Sequence, residues 1–259
     1  MVLLDGPLGS RLQEAGYDVS PPAWSARVLQ SNPSAISALH REYAQAGCEV
    51  HRANTFRCAR RACGDDWALL AGLAVRLARA EARPGQRVAG SLGPLEDCYR
   101  PELAPAHSRA EHAEAAALLA PHVDLLLCET FPNTVEARET VEAAVATGRE
   151  TWVSFTAGPD GLLLTPAQVG TAARECVTAG ARAVLVNCIA AELTLPYVQE
   201  LAGAGVPFGA YSNAATWGGV PVSAERYGAL AAQWRAAGAS IVGGCCGTTV
   251  EHLRSAAQG

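Results

Sequence analysis

Eight short apolar runs recur along this chain, and each is followed by a stretch of helical periodicity. The runs predict strands over Val2–Gly6, Glu49–Phe56, Arg87–Gly93, Val123–Phe131, Glu150–Ala157, Ala181–Cys188, Val206–Asn213 and Ala239–Cys246. Several are apolar without alternation, as in Leu125-Leu126-Leu127 and Val184-Leu185-Val186. That pattern is expected of a parallel strand covered on both faces. Eight β–α units in 259 residues predict an α/β protein built as one closed (β/α)8 TIM barrel, a single domain over residues 1–259. An open doubly wound sheet is the competing arrangement, but no Gly-x-Gly-x-x-Gly follows the first strand.

The helices carry their own punctuation. Asn32-Pro33 and Thr165-Pro166 put a capping residue before a proline at the first helical position. Ser108 with Glu111, and Thr248 with Glu251, have the spacing of a reciprocal capping box. Gly47, Gly148, Gly180, Gly205 and Gly238 follow helical runs, where a left-handed C-cap belongs. The loop from about Ser10 to Ser31 holds Pro21-Pro22 and Trp24 and is expected to cover part of the barrel mouth. Trp217 with Gly218-Gly219 lies in the loop after the seventh strand, as lid or decoration.

Composition excludes several functions. The net charge is −5 and no like-charge run occurs, which argues against nucleic-acid and anionic-membrane partners. All twenty basic residues are arginine, so no lysine Schiff base can form. No apolar run nears the roughly 20 residues needed to span a bilayer, and the N-terminus reads as a strand rather than a secretory signal. Nine cysteines in such a chain favour reduced thiols and a cytoplasmic setting over a disulfide framework.

In a barrel of this kind the chemistry sits at the C-terminal strand ends. Those ends read Asp5-Gly6, Asn54-Thr55-Phe56, Ser91-Leu92-Gly93-Pro94, Glu129-Thr130, Ser154-Phe155-Thr156, Asn187-Cys188, Tyr211-Ser212-Asn213 and Cys245-Cys246. Cys188, Cys245 and Cys246 are the sharpest signal. Three thiolates from the sixth and eighth strand ends can hold a zinc ion and leave its fourth position open, as catalytic zinc requires. Gly243, Gly244 and Gly247 permit the backbone bend that faces both adjacent cysteines to one ion. Buried structural cysteines or a vicinal disulfide are the alternatives. Cys48, Cys58, Cys63, Cys98, Cys128 and Cys176 are scattered in apolar or alanine-rich runs and read as packing. The six histidines show no spacing typical of a zinc pair.

Asp5-Gly, Trp24-Ser, Asn54-Thr-Phe, Gly-Ser-Leu-Gly-Pro at the third strand, Glu129-Thr, Asn187-Cys and the late Gly-Gly-Cys-Cys together resemble the homocysteine S-methyltransferase family. The likeness runs in register along essentially the whole chain. It implies a zinc barrel in which Cys188, Cys245 and Cys246 hold the metal and the sulfur of homocysteine takes the fourth place. A coordinated thiol loses its proton outright, and a centre with several thiolates keeps that sulfur nucleophilic toward a soft methyl carbon. The resemblance further implies that Asp5 and Glu129 pair with the homocysteine ammonium group. Taken alone, two opposed carboxylates would also suit glycoside cleavage, which leaves the cysteines without a role. Trp24 and Phe56 are expected to wall the site around a cationic donor, and Asn54, Thr55, Ser91, Thr156, Asn187, Tyr211 and Asn213 to supply polar lining.

The chain is short for the family and shows no cobalamin or folate module and no long C-terminal extension. It therefore looks most like the stand-alone enzymes that take methyl from S-methylmethionine or S-adenosylmethionine. Betaine or a separate protein as methyl donor, a zinc hydrolase on the same barrel, and a non-catalytic zinc- or homocysteine-binding subunit are the rivals.

Overall fold

Eight parallel strands form among residues 1–215 and 221–258, the residues described in a computed structural model; Trp217-Gly218-Gly219 lies outside them. They are β1 (Val2–Leu3), β2 (Val50–Arg52), β3 (Arg87–Leu92), β4 (Leu125–Phe131), β5 (Thr151–Phe155), β6 (Ala183–Ala190), β7 (Phe208–Asn213) and β8 (Ile241–Gly244). Their spatial order is β1-β8-β7-β6-β5-β4-β3-β2. The two ends of that order meet at a parallel bridge between Leu4 and Val50. Hydrogen bonds from Asp5 N to Val50 O (3.0 Å) and from Glu49 N to Leu3 O (2.8 Å) complete the seam. The sheet is thus a barrel, with a helix after each strand packed outside it.

The strand pleat decides what faces inward. Leu4, Val50, Ala89, Leu125, Leu127, Trp152, Ala183, Leu185 and Ile241 pack together inside the barrel. Their neighbours Val88, Leu126, Cys128, Val153, Val184 and Val186 pack against the helix layer. Burying each such Leu or Val contributes about 1.5–3 kcal/mol relative to exposure. One step further along the inward rows lie Arg52, Ser91, Glu129, Ser154, Asn187 and Tyr211, all buried. The barrel interior therefore turns from apolar to polar at the C-terminal ends, and that polar layer is the candidate site.

The second strand is shorter than the sequence suggests. It ends at Arg52, and Thr55 N bonds back to Ala53 O at 2.6 Å, so Asn54-Thr55-Phe56 forms a turn. Thr165 builds its capping box with Gln168, and the five C-cap glycines have φ between +75° and +112°. The other two proposed boxes do not form. Ser108 gives its hydroxyl to Glu139 at 2.6 Å and Thr248 gives its to the Cys245 carbonyl at 2.8 Å. At Ser108 a carboxylate on the next helix outcompetes the local helix end, whereas Thr248 is held within its own turn and the last helix begins only at Val250. Asn32 likewise makes no side-chain cap and donates to Tyr17 at 3.1 Å.

Burial fixes a pH response outside the site. His40, on the helix Pro33–Gln45, is fully buried, and burial pulls its pKa from 6.5 to about 4. The unfolded chain therefore takes up a proton between pH 6.5 and about 4 that folded His40 refuses. Stability is expected to fall as pH drops through that window, by about 1.4 kcal/mol per pH unit from this group. Denaturant midpoints of the native protein and His40→Leu across that range check it; parallel pH slopes would contradict it.

Candidate metal centre

Strand alternation alone would send Cys188 toward the helices. Instead, the register of β6 against β7 shifts between Asn187 and Ala190, and Cys188 takes φ +53°. A bulge of this kind re-aims a side chain, and here it turns the thiol inward. A non-glycine residue at positive φ costs on the order of 1–3 kcal/mol, and such strain clusters at functional sites. β4 has a matching irregularity between Cys128 and Phe131, with Thr130 at φ +66°. Asn187 ties the two together: its amide donates to Thr130 Oγ1 at 2.7 Å and accepts from Ser154 Oγ at 2.7 Å.

Cys245 and Cys246 lie in the turn after β8. Cys245 N bonds Ser212 O (2.9 Å), Ala214 N bonds Cys246 O (3.0 Å), and Thr248 N bonds Cys245 O (3.1 Å). Gly247 takes φ +75°, closing the turn. A Cβ on Gly243 would sit 2.6 Å from Leu4 Cβ, so only glycine lets β8 approach β1 there. The three Sγ atoms lie within 4.8 Å of one another, and Cys188 and Cys245 are 2.7 Å apart. All three are free thiols, so Cys245 and Cys246 form no vicinal disulfide.

The thiols behave as a unit. Hydrogen bonding from Cys188, then from Cys245, holds Cys246 well below the usual thiol range. Donating to Cys245 and Cys246, together with burial, pushes Cys188 well up. Cys245 is pulled down by Cys188, yet its bond to Cys246 and its burial push it up to about 12. Their protons are shared across one coupled cluster, and a soft divalent cation binds there by displacing them. Tetrahedral Zn–S bonds of about 2.3 Å need sulfurs roughly 3.8 Å apart, so metal would spread the Cys188–Cys245 pair from 2.7 Å within a cluster whose sulfurs lie inside 4.8 Å. The donor set fits a thiophilic metal.

Beside the sulfurs, Asp5 and Glu129 face the same cation, and it belongs to the protein. Arg52 donates from Nε to Asp5 Oδ1 at 2.7 Å and from its backbone N to Asp5 Oδ2 at 2.9 Å. Its Nη1 reaches Glu129 Oε2 at 3.4 Å. Its Nη2 donates to the carbonyls of Asp5 (2.9 Å), Gly6 (3.0 Å) and Gly244 (2.9 Å). Tyr211 lies under the guanidinium, 4.6 Å from ring centroid to Cζ, and donates its hydroxyl to Glu129 at 2.9 Å. Ser91 Oγ donates to the other Glu129 oxygen. Burial works against the charge on Arg52, but Asp5 and Glu129 outweigh it and keep the guanidinium protonated.

The remaining predicted residues serve neighbours rather than open space. Asn54 clasps Ser25, accepting from its hydroxyl (2.6 Å) and donating to its carbonyl (2.9 Å), and so pins the loop that carries Trp24. Thr55 Oγ1 bonds both Ser91 O (2.8 Å) and Ser91 N (2.9 Å), stitching the turn after β2 to β3. Asn187 has both amide ends engaged. Trp24 and Phe56 already face a cation: Arg57 Cζ lies 5.4 Å and 5.2 Å from their ring centroids. Sequence reasoning missed Arg52, Arg57 and Tyr99. The Tyr99 phenol is pushed up by electrostatic coupling to the cysteines, Cys188 first, and by burial, as expected of a neighbour of the sulfur cluster. Arg52 had a signal: it shares the inward parity of Val50.

A second group, Asp5, His40 and His51, also brings ligand atoms within 4.8 Å of one another. Gln86 Oε1 accepts from Arg83 N (2.8 Å) and lies 3.0 Å from His51 Nε2, so that ring nitrogen carries the proton. Arg52 occupies the same Asp5 carboxylate, and its positive charge opposes a divalent cation there. The sulfur cluster is the stronger metal candidate.

Three comparisons agree with this geometry. The family model described as Homocysteine S-methyltransferase matches residues 2–259. The Homocysteine S-methyltransferase of Escherichia coli is 33% identical, over 96% of this chain and 92% of that protein. The Homocysteine S-methyltransferase YbgG of Bacillus subtilis is 30% identical, over 99% and 93%. The metallated form of the homocysteine methyltransferase MmuM from Escherichia coli superposes with a TM-score of 0.83 at 27% identity, covering 99% of this chain and 95% of that one. Among the described residues no helix is long and apolar enough to cross a membrane.

Proposed function

The chain belongs to the homocysteine S-methyltransferase family, and on that footing we propose that it moves a methyl group from a sulfonium donor to the thiol of L-homocysteine, giving methionine. The convergence of three thiols at the barrel's polar end carries this reading, because among the described residues it is the one all-sulfur metal-binding cluster, the donor set suited to activating a thiol. Cys188, Cys245 and Cys246 are the ligands assigned to zinc. When bound, zinc supplies acidity to a substrate thiol and keeps its sulfur nucleophilic. The whole chain, residues 1–259, acts as one homocysteine-binding domain, and its free thiols suit the reducing cytoplasm.

The protein's own residues do the positioning. Glu129, with its carboxylate fixed by Ser91 and Tyr211, orients the acceptor amine beside the sulfurs. Asn187 holds the bulge that aims Cys188. Trp24 and Phe56 border the mouth, where aromatic faces attract a sulfonium by roughly 0.5–2 kcal/mol. Arg57 Nε is buried without a hydrogen-bond partner and is available to the carboxylate of an amino-acid donor. S-methylmethionine and S-adenosylmethionine both carry one. Bringing sulfur and methyl carbon to within about 3–3.5 Å in line makes the displacement effectively unimolecular.

The test is methionine formation by reduced, zinc-loaded protein with S-methylmethionine, S-adenosylmethionine and betaine in parallel. Methionine from a sulfonium donor is the expected result. Methionine from betaine alone would replace the donor assignment, and homocysteine unchanged with all three would overturn the reading.

A further inference from the structure

The space between Asp5 and Glu129 is where a substrate cation would be sought, yet the chain fills it itself. Asp5 is fully buried and receives Arg52 at both of its oxygens, through Nε (2.7 Å) and the backbone N (2.9 Å). Arg52 cannot swing away cheaply. Its Nη2 is held by three backbone carbonyls from the β1 and β8 ends, and its guanidinium lies 4.6 Å from the Tyr211 ring centroid. Glu129 differs. It accepts from Ser91, from Tyr211 (2.9 Å) and, at a longer 3.4 Å, from Arg52 Nη1. A carboxylate offers about four acceptor positions, so Glu129 keeps one for a ligand. Two carboxylates and one guanidinium leave a single net negative charge.

We propose that Arg52 is a specificity-determining positioning residue: it neutralises Asp5 from within, so that the acceptor's ammonium is recognised by Glu129 alone. The inference rests on the homocysteine reading above. It makes the selected acceptor an α-amino thiol held at one carboxylate, with Asp5 serving to fix Arg52 rather than to touch substrate. It also limits how strongly the site can prefer an amino thiol over the same thiol without an amine. Removing the guanidinium unmasks a second carboxylate and sharpens that preference, which a purely structural role for Arg52 does not predict.

Titration calorimetry on zinc-loaded protein tests this with L-homocysteine and 4-mercaptobutanoate, which keeps the thiol and carboxylate but lacks the amine. The readout is the ratio of their dissociation constants. Arg52→Ala is expected to raise the preference for homocysteine about tenfold, the order of one charge-assisted hydrogen bond, and Arg52→Lys to hold it near the native ratio. Glu129→Gln, which leaves the Asp5–Arg52 pair intact, is expected to bring the ratio to about one. An unchanged ratio in folded, zinc-loaded Arg52→Ala overturns the proposal. So does a preserved preference in Glu129→Gln, which decides the matter should Arg52→Ala fail to fold. A native protein that binds neither thiol would instead overturn the homocysteine reading itself.

Discussion

Cys246→Ser is expected to lose bound zinc, from one ion per chain to near none, and methyl transfer with it, while the barrel stays folded. Cys246 is the most accessible of the three sulfurs and lies in a turn rather than in the packed strand rows, so serine removes a ligand without opening a cavity. Hydrogen bonds from Cys188 and Cys245 also hold the Cys246 thiol well below the usual range, which favours the thiolate a metal binds. Serine is a far weaker metal ligand at neutral pH because its hydroxyl keeps its proton. Turnover should fall at least about a thousandfold, the scale of losing an activating group worth some 4 kcal/mol. Metal analysis and circular dichroism on one sample check both halves. Full zinc in a folded Cys246→Ser protein would remove this residue from the ligand set.

Asn187→Ala is expected to damage both stability and metal affinity. The variant leaves the hydroxyls of Ser154 and Thr130 without their 2.7 Å partner. Each unsatisfied buried group costs about 1–3 kcal/mol, so a loss near 3 kcal/mol is expected. That corresponds to a drop in Tm of about 6–12 °C for a chain of this size. Without that brace the positive-φ bulge at Cys188 loses its reason to hold the thiol inward, and zinc affinity should weaken about tenfold or more. Thermal melts and a competitive zinc titration measure the two effects separately. A variant with native Tm and native zinc affinity would show that the bulge holds without Asn187.

Much of this arrangement could be read from residue order. Near-continuous apolar strands such as Leu125–Leu127 can only be buried on both faces, and that condition already implies helices around a parallel sheet. The convergence of the cysteines was equally legible, since Cys245-Cys246 stands at a strand end between glycines, where a backbone bend can turn both thiols to one side. What stayed hidden depended on long-range geometry. Cys188 has outward parity, and only the register shift after Asn187 explains its inward aim. Asp5 and Glu129 read as free rim carboxylates because their partner, Arg52, lies on another strand at 47 and 77 residues' distance. Ser108 had the right local spacing for a capping box but found a stronger acceptor in Glu139, 31 residues away. Local pattern fixes which face a residue occupies; what it meets there is decided by strands far away in sequence.

X-ray absorption at the zinc edge, on native protein before and after addition of homocysteine, tests the central claim most directly. The account predicts three sulfur neighbours at about 2.3 Å in the free protein, with a fourth appearing when homocysteine binds. A sulfur count that does not rise with homocysteine, or a first shell dominated by nitrogen and oxygen, would contradict it.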